Sequence, residues 1–339
     1  MIVCLLIALA TQSPAASPAE PAARESVQPP PLPSTHRGRP LSDDGRLVLA
    51  SAVDGDARSR ELWVQSELVL REGVLEMLAC RRNTKEHESI VAIDAPAVLL
   101  NASLLAMGLE AGKPVQFDPE FRPPQGPRLE ITLHWTDPDT KQPVARRSQD
   151  VIRRAVNKWH GASLPQSIVD GISLPAETMQ VRYVEFDEML IFFGQMTDEE
   201  LAELRRLSDD TTWTAAIEEL KAAGVMEPMA AEWVYTGSRW SRLPDGTEEY
   251  DATSGNYVCV ANFADAIIDI DRRSSNSNGQ LLYEPWAERL PPLGTPVWLQ
   301  FRRASNRQRP AGAEPAVGDD ATVQPPSGNE TSAPKPLGE

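Results

Sequence analysis

Residues 128–136 read RLEITLHWT, and this stretch decides the expected fold. Leu129, Ile131, Leu133 and Trp135 alternate with polar residues, which is the period of a strand with one face against a core. Further strand-like runs follow at 232–240 (EWVYTGSRW), 256–263 (NYVCVANF) and 296–303 (PVWLQFRR). The spacing therefore predicts a core built mainly from antiparallel strands.

One helix interrupts the strand-like runs between residues 94 and 108. Asp94 can cap it, Pro96 suits its first turn and Gly108 can end it. One apolar face is predicted by side chains at helical spacing, namely Val98, Ala102, Leu105 and Leu109. Together these patterns predict an α+β fold with a mainly antiparallel β core and one packed helix.

Residues from about 161 to 228 have a different character and are expected to form a partly helical insertion in this core. A first helix opens at TDEELAELRR, where Thr197 and Glu200 have the spacing of a capping box. A second, TWTAAIEELKAAG, is expected to end at Gly224.

Both ends of the chain differ in composition from its centre. Residues 1–10 form a short apolar run typical of a secretion signal, so we expect export to a periplasmic or extracellular location. Residues 11–58 and 304–339 are rich in Pro, Ala and Ser and are predicted to be disordered. The core domain is then 59–303, with no transmembrane anchor in the mature chain.

The charge balance limits the kinds of partner. Acidic residues number 49 against 33 basic ones, for a net charge of −16, and no basic stripe is present, so a nucleic-acid partner is not expected. Neither a Gly-rich phosphate loop nor a G-x-S-x-G motif occurs, and no cofactor is predicted. An envelope protein or a small ligand is the expected partner.

The most reactive-looking stretch is CRRNTKEHES, residues 80–89. Strands are predicted at Leu62–Leu70, Val74–Cys80 and Glu88–Asp94. A tight turn would join the first two strands, and a polar hairpin loop would join the last two. In that loop the candidate ligand-binding residues are Lys85, Glu86, His87 and Glu88.

Three chemical interpretations of this loop stay open beside a solvated, charged loop. Cys80 and His87, with Glu88 as orienting carboxylate, could form a thiol-dependent enzyme. Cys80, His87 and Cys259 could bind a metal. Cys80 and Cys259 could form a disulfide if the protein is exported, or both could be buried small hydrophobes.

The chain also resembles a named family, the YdjY-domain proteins. The resemblance lies in the stretch LEMLACRRNTKEHESIVAIDAPAVLLNASLLAMG (75–108), in EWVYTGS and in the run 257–301, and it covers most of 62–150 and 229–303. It implies an exported protein of planctomycete-like bacteria and carries over no catalytic residues. Some relatives have ferredoxin-like iron–sulfur segments, but the C-x-x-C ligand pattern is missing here.

The function expected from the sequence is a non-enzymatic binding or interaction module of the cell envelope. The alternative is a metal- or thiol-dependent enzyme centred on Cys80, His87 and Glu88.

Overall fold

The computed structural model describes residues 28–55, 59–175, 180–274 and 282–305. The signal-like run 1–10 and almost all of the tail 304–339 lie outside these residues. The fold is mixed, with about 20% helix and 35% strand, so the α+β prediction is confirmed at the level of fold class. Within the described ranges, no helix has both the length and the apolar character needed to cross a membrane.

Eight strands form a closed barrel, which is more specific than the predicted fold class. The ring order is β3–β18–β6–β12–β16–β15–β4–β5, and a pairing between β5 and β3 closes it. Closure leaves the ring itself without an exposed edge. In chain order the barrel strands are β3 (Glu61–Leu68), β4 (Met77–Arg81), β5 (Ser89–Ile93), β6 (Arg128–Thr136), β12 (Trp233–Tyr235), β15 (Asn256–Cys259), β16 (Ile268–Ile270) and β18 (Pro296–Arg303).

Alternating side chains fill the barrel. The predicted inner face of β6 is confirmed, because its four apolar residues are buried while Glu130 on the other face is exposed. On β18, Val297, Leu299 and Phe301 belong to the same hydrophobic cluster, and Trp298 and Gln300 on its other face are also buried. A barrel of this strand number is just wide enough for its interior to be filled by side chains.

Two neighbouring pairs in the ring are parallel, and they correct the predicted hairpins. β4 and β5 run parallel, with Cys80 beside Ala92, so residues 82–88 are a crossover connection and not a hairpin loop. β15 and β16 are also parallel, joined through residues 260–267. The predicted pairing of Leu62–Leu70 with Val74–Cys80 is wrong as well, because in the ring β3 pairs with β5 and β18 and not with β4.

Three strands outside the ring extend the sheet, two from β3 and one from β6. β1 (His36–Pro40) pairs with β2 (Leu47–Ala52), and β2 pairs with β3. The predicted disordered linker 11–58 is therefore wrong for these strands, since Leu47 and Leu49 on β2 belong to the main core. β7 (Pro143–Arg147) pairs with β6.

The predicted helix is present as α1 (Ala97–Ala106), but the predicted apolar face is wrong. Val98 and Leu105 are 46% and 45% exposed, whereas Leu100 and Leu104 are buried against the core. The helix is apolar nearly all round, so sequence periodicity could not choose its buried side. Asp94 does not cap it; its carboxylate accepts a hydrogen bond from Arg46 Nη1 at 2.8 Å.

A second hydrophobic cluster lies between residues 162 and 220. Its sheet contains β9 (Trp159–Ser163), β10 (Val181–Val184) and β11 (Met189–Phe193), in the order β10–β11–β9. α2 (Gln166–Val169), α3 (Asp198–Arg205) and α4 (Thr211–Ala223) complete this part of the chain. The predicted capping box of α3 and the end of α4 at Gly224 are confirmed.

Two short strand pairs lie outside both sheets. β8 (Ile152–Arg154) pairs with β17 (Tyr283–Pro285), and β13 (Trp240–Arg242) pairs with β14 (Glu248–Tyr250).

Candidate functional site

The side of the barrel formed by β4, β5, β15 and β16 is covered by the two crossover connections, and we call it the crossover face. A parallel partner begins at the same end as its neighbour, so the chain must return along the whole strand. Residues 82–88 therefore lie back over β4 and β5. Beneath the connections is a small cluster separate from the barrel core, made of Met77, Cys80, Ala92, Cys259 and Ala266.

Cys80 is fully buried in this cluster. Burial raises the pKa of its thiol, although hydrogen bonds from Ser89, the Lys85 backbone and Thr84 act in the opposite direction. A catalytic thiolate needs the reverse, a pKa lowered by positive charge or a metal. The environment of Cys80 is that of an inert, small hydrophobe.

The predicted ligand-binding side chains make local contacts along the crossover. Asn83 donates its backbone N–H to Glu86 Oε1 at 2.8 Å. His87 is 73% exposed, with Nε2 3.3 Å from Glu88 Oε1. Lys85 Nζ lies 3.7 Å from Glu76 Oε2 and 4.8 Å from the centre of the Phe263 ring, so it joins the two crossover connections.

The proposed catalytic and metal arrangements are not assembled. Cys80 is a buried thiol and His87 an exposed ring, so they do not have the shared environment of a nucleophile and its base. Among the described residues, no group of three or more His, Cys, Asp or Glu side chains could hold a metal ion.

The predicted disulfide is absent, because Cys80 and Cys259 are both free and buried. Cys80 lies opposite Asn256 and Cys259 lies opposite Met77. The resulting offset of three residues along an antiparallel pair is roughly 10 Å, too far for a disulfide.

Glu76 is an ionisable residue that the sequence interpretation missed. It is 7% exposed, and its pKa is raised to about 7, first by burial and then by the neighbouring carboxylate of Glu88, against the effect of Lys85. The sequence did contain a signal for a buried carboxylate, because Glu76 is the one charged residue in the apolar run LEML.

Next to the crossover face, across the β5–β3 pairing, the barrel surface contains a groove of about 870 Å³. We call the outer surface of β3, β18, β6 and β7 the groove face. One cross-strand row on it consists of Gln65, Trp298, His134 and Ala145, which are direct partners in the sheet register. All four line the groove, so its floor is a row of side chains perpendicular to the strands.

The charged residues around the groove are paired. Arg82 Nη2 lies 3.0 Å from Glu67 Oε2, and Arg46 Nη1 lies 2.8 Å from Asp94 Oδ2; all four residues line the groove. These pairs leave the groove wall close to neutral, which disfavours a highly charged ligand.

His134 is held in the floor by contacts on two sides. Its ring centre lies 4.6 Å from that of Trp63, and Nε2 lies 2.9 Å from Gln300 Oε1. Gln300 uses its amide group to donate to Glu61 Oε2 at 2.7 Å, so His134 donates through Nε2 and keeps Nδ1 as an acceptor. Burial lowers the pKa of the ring below 6.5, which favours the neutral form.

The chain's own Pro-rich segment, Gln28–Pro33, forms one wall of the groove. Gln28, Pro29 and Pro31 line it, and Leu32 packs on a small cluster of Val48, Ala50, Trp63 and Trp298. His134 is one of the polar residues that alternate with apolar ones in 128–136, but no local pattern joins it to Trp298, which is far away in the chain.

Comparison of the chain with protein-family models, curated proteins and solved structures finds no match.

Proposed function

We propose that the chain is an exported binding module of the cell envelope that holds an extended, proline-containing peptide segment in the groove. The observation that carries this proposal is the cross-strand floor of Gln65, Trp298 and His134, beside which the chain's own segment Gln28–Pro33 lies. The volume of the groove, about 870 Å³, falls within the range of about 300–1,000 Å³ that is usual for ligand sites.

The shape of the floor favours an extended ligand. Four neighbouring strands span roughly 15 Å across the sheet at the usual spacing between strands. A polyproline II segment of about five residues has the same length. Aromatic floors are the common partner of such segments because the rigid chain loses little entropy on binding.

Polar groups in the floor can fix the orientation of the ligand backbone. Gln65 lines the groove and is half-buried, and His134 Nδ1 is an acceptor. Proline-rich segments offer many carbonyl groups and few N–H groups, so they match a floor with one amide donor and few acceptors. The paired charges on the wall favour a ligand of low net charge.

The export step and the resemblance to YdjY-domain proteins are parts of this proposal that rest on the sequence. The competing proposal, a thiol- or metal-dependent enzyme centred on Cys80, His87 and Glu88, has less support because its thiol is buried and its imidazole is exposed.

The test is a fluorescence anisotropy titration with a fluorescein-labelled QPPPLP peptide. Thr136 lines the groove, so Thr136→Arg should fill it and weaken binding at least tenfold, about 1.4 kcal/mol. Thr132→Arg is the matched control, because Thr132 lies on the same strand and face as Thr136 but does not line the groove. Equal affinity in both variants would contradict the groove as the binding site.

A further inference from the structure

The segment Gln28–Pro33 has the composition that the groove should recognise. Four of its six residues are proline. A proline fixes its own backbone and biases the preceding residue toward extended conformations. Leu32 N–H donates to Pro30 O at 2.8 Å, which forms a three-residue turn around Pro31 just before the leucine.

Leu32 occupies a small apolar subsite at the edge of the groove, which we call the leucine seat. It packs on Val48, Ala50, Trp63 and Trp298, and Trp298 is also part of the groove floor. Gly38 makes room for it, because a Cβ at that position would lie 2.8 Å from Leu32 Cδ1. The seat is therefore continuous with the ligand site.

Among the described residues, no hydrogen bond joins this segment to the strands of the barrel. Its prolines have no N–H group and cannot join a β-ladder, and the ladder with β2 begins only at His36. Side-chain packing, chiefly that of Leu32, is what keeps the segment on the groove. Such a contact can be exchanged for the same contact from another chain.

We propose that Gln28–Pro33 is a cis-bound mimic of the ligand, which occupies the leucine seat and gates the groove. This inference rests on the proposed function and specifies its ligand: a proline-rich segment of another protein that carries one leucine. A segment tethered this closely has an effective concentration on the order of millimolar. The partner must therefore bind tightly enough to displace it.

The experiment measures binding of the fluorescein-labelled QPPPLP peptide to the full chain and to Leu32→Ser. We expect the variant to bind the peptide about tenfold more tightly, because a larger fraction of it has an open seat. Leu243→Ser is the matched control, since Leu243 lies 39% exposed between β13 and β14, far along the chain from the seat, and should leave affinity unchanged. If Leu32→Ser does not fold, the double variant Pro29→Ser/Pro31→Ser, which weakens the packing of the same segment but keeps Leu32, should also bind the peptide more tightly than the full chain.

Each outcome separates the two proposals. Equal affinity of the full chain, Leu32→Ser and the double variant would overturn the gate and leave the proposed function standing. No binding by any of them would overturn both. A doubled mass of the full chain in light scattering, lost in Leu32→Ser, would show that a second copy supplies the leucine, and this result would also overturn the cis gate.

Discussion

The crossover face and the groove face are two outer surfaces of one barrel. Connecting segments cover the first, whereas the second contains a groove. On the crossover face, parallel strands send their connections back over the sheet and bury Cys80 and Cys259. On the groove face the strand pairs are antiparallel, β6 turns directly into β7, and the row of Gln65, Trp298 and His134 lies beside the groove. The direction of strand pairing thus decides which face the connecting segments cover.

The same rule changes the meaning of reactive residues. Cys80 and His87 looked like a site because a hairpin loop would have held them together in the open. A crossover buries the thiol against the sheet and leaves the histidine on the outside.

Thiol accessibility should show the largest difference between the faces. With Cys4 replaced by Ser, we expect Cys80 and Cys259 to react with a maleimide at least about 1,000-fold more slowly than a cysteine introduced at exposed Ala145. Mass spectrometry of labelled native protein measures the three rates. Rapid labelling of Cys80 in folded protein would contradict a covered crossover face.

The next largest effect concerns packing under the crossovers. Met77 is fully buried in the crossover-face cluster, so Met77→Ala should lower the free energy of unfolding by about 2–5 kcal/mol. Urea denaturation measures it, with Met226→Ala as the control of the same residue type, since Met226 is 37% exposed. Peptide affinity of the folded variant should be unchanged, because Met77 lies outside the groove.

A pH effect should distinguish Glu76 from the carboxylates of the groove. Its pKa is raised from 4.5 to about 7 on folding, so the folded state holds this proton more strongly. Protonated Glu76 therefore contributes its full share of the folding free energy below pH 4.5, and this contribution is lost as the pH rises through about 7. Glu76→Gln should match the natural chain at low pH and exceed its stability above pH 7, by on the order of 1–2 kcal/mol.

Urea denaturation at both ends of this pH range checks the sign. Glu67→Gln is the control, because Glu67 pairs with Arg82 at the rim of the groove and a surface pair contributes about 0–1 kcal/mol. A stability difference for Glu76→Gln that does not change with pH would contradict the prediction.

The smallest effect is expected on the groove face. His134→Ala removes the ring contact with Trp63 and the hydrogen bond to Gln300, but water can replace the lost bond in an open groove. We expect a loss of about 0.5–1.5 kcal/mol in unfolding free energy. A loss as large as that of Met77→Ala would mean that the groove floor is core and not a binding surface.

The sequence was informative wherever the signal was local. The alternation of β6, the capping box at Thr197 and the end of α4 at Gly224 all depend on residues close together in the chain, and all are confirmed. The α+β class followed from the sum of such signals. The strand β2 was missed although Leu47 and Leu49 belong to a continuous apolar run, LVLA. The Pro-rich composition before this run dominated the interpretation.

The predicted pairing of strands was wrong wherever the true partner lies elsewhere in the chain or runs parallel. Short apolar runs such as MLAC and SIVAI are typical of strands buried on both faces, as in parallel pairs, and this was the signal against a hairpin. The groove could not be predicted at all, because Trp298 meets His134 and Gln65 only through the register of three strands.

By itself, the sequence determined the class of fold, many of the elements and the ends of the helices, because hydrophobic period and capping act over a few residues. Tertiary structure alone decided the closed barrel, the parallel crossovers, the burial of Cys80 and Cys259 and the row of side chains under the groove. These features depend on which strands become neighbours and in which direction. That choice is made by the packing of the whole core, and no short stretch of sequence contains it.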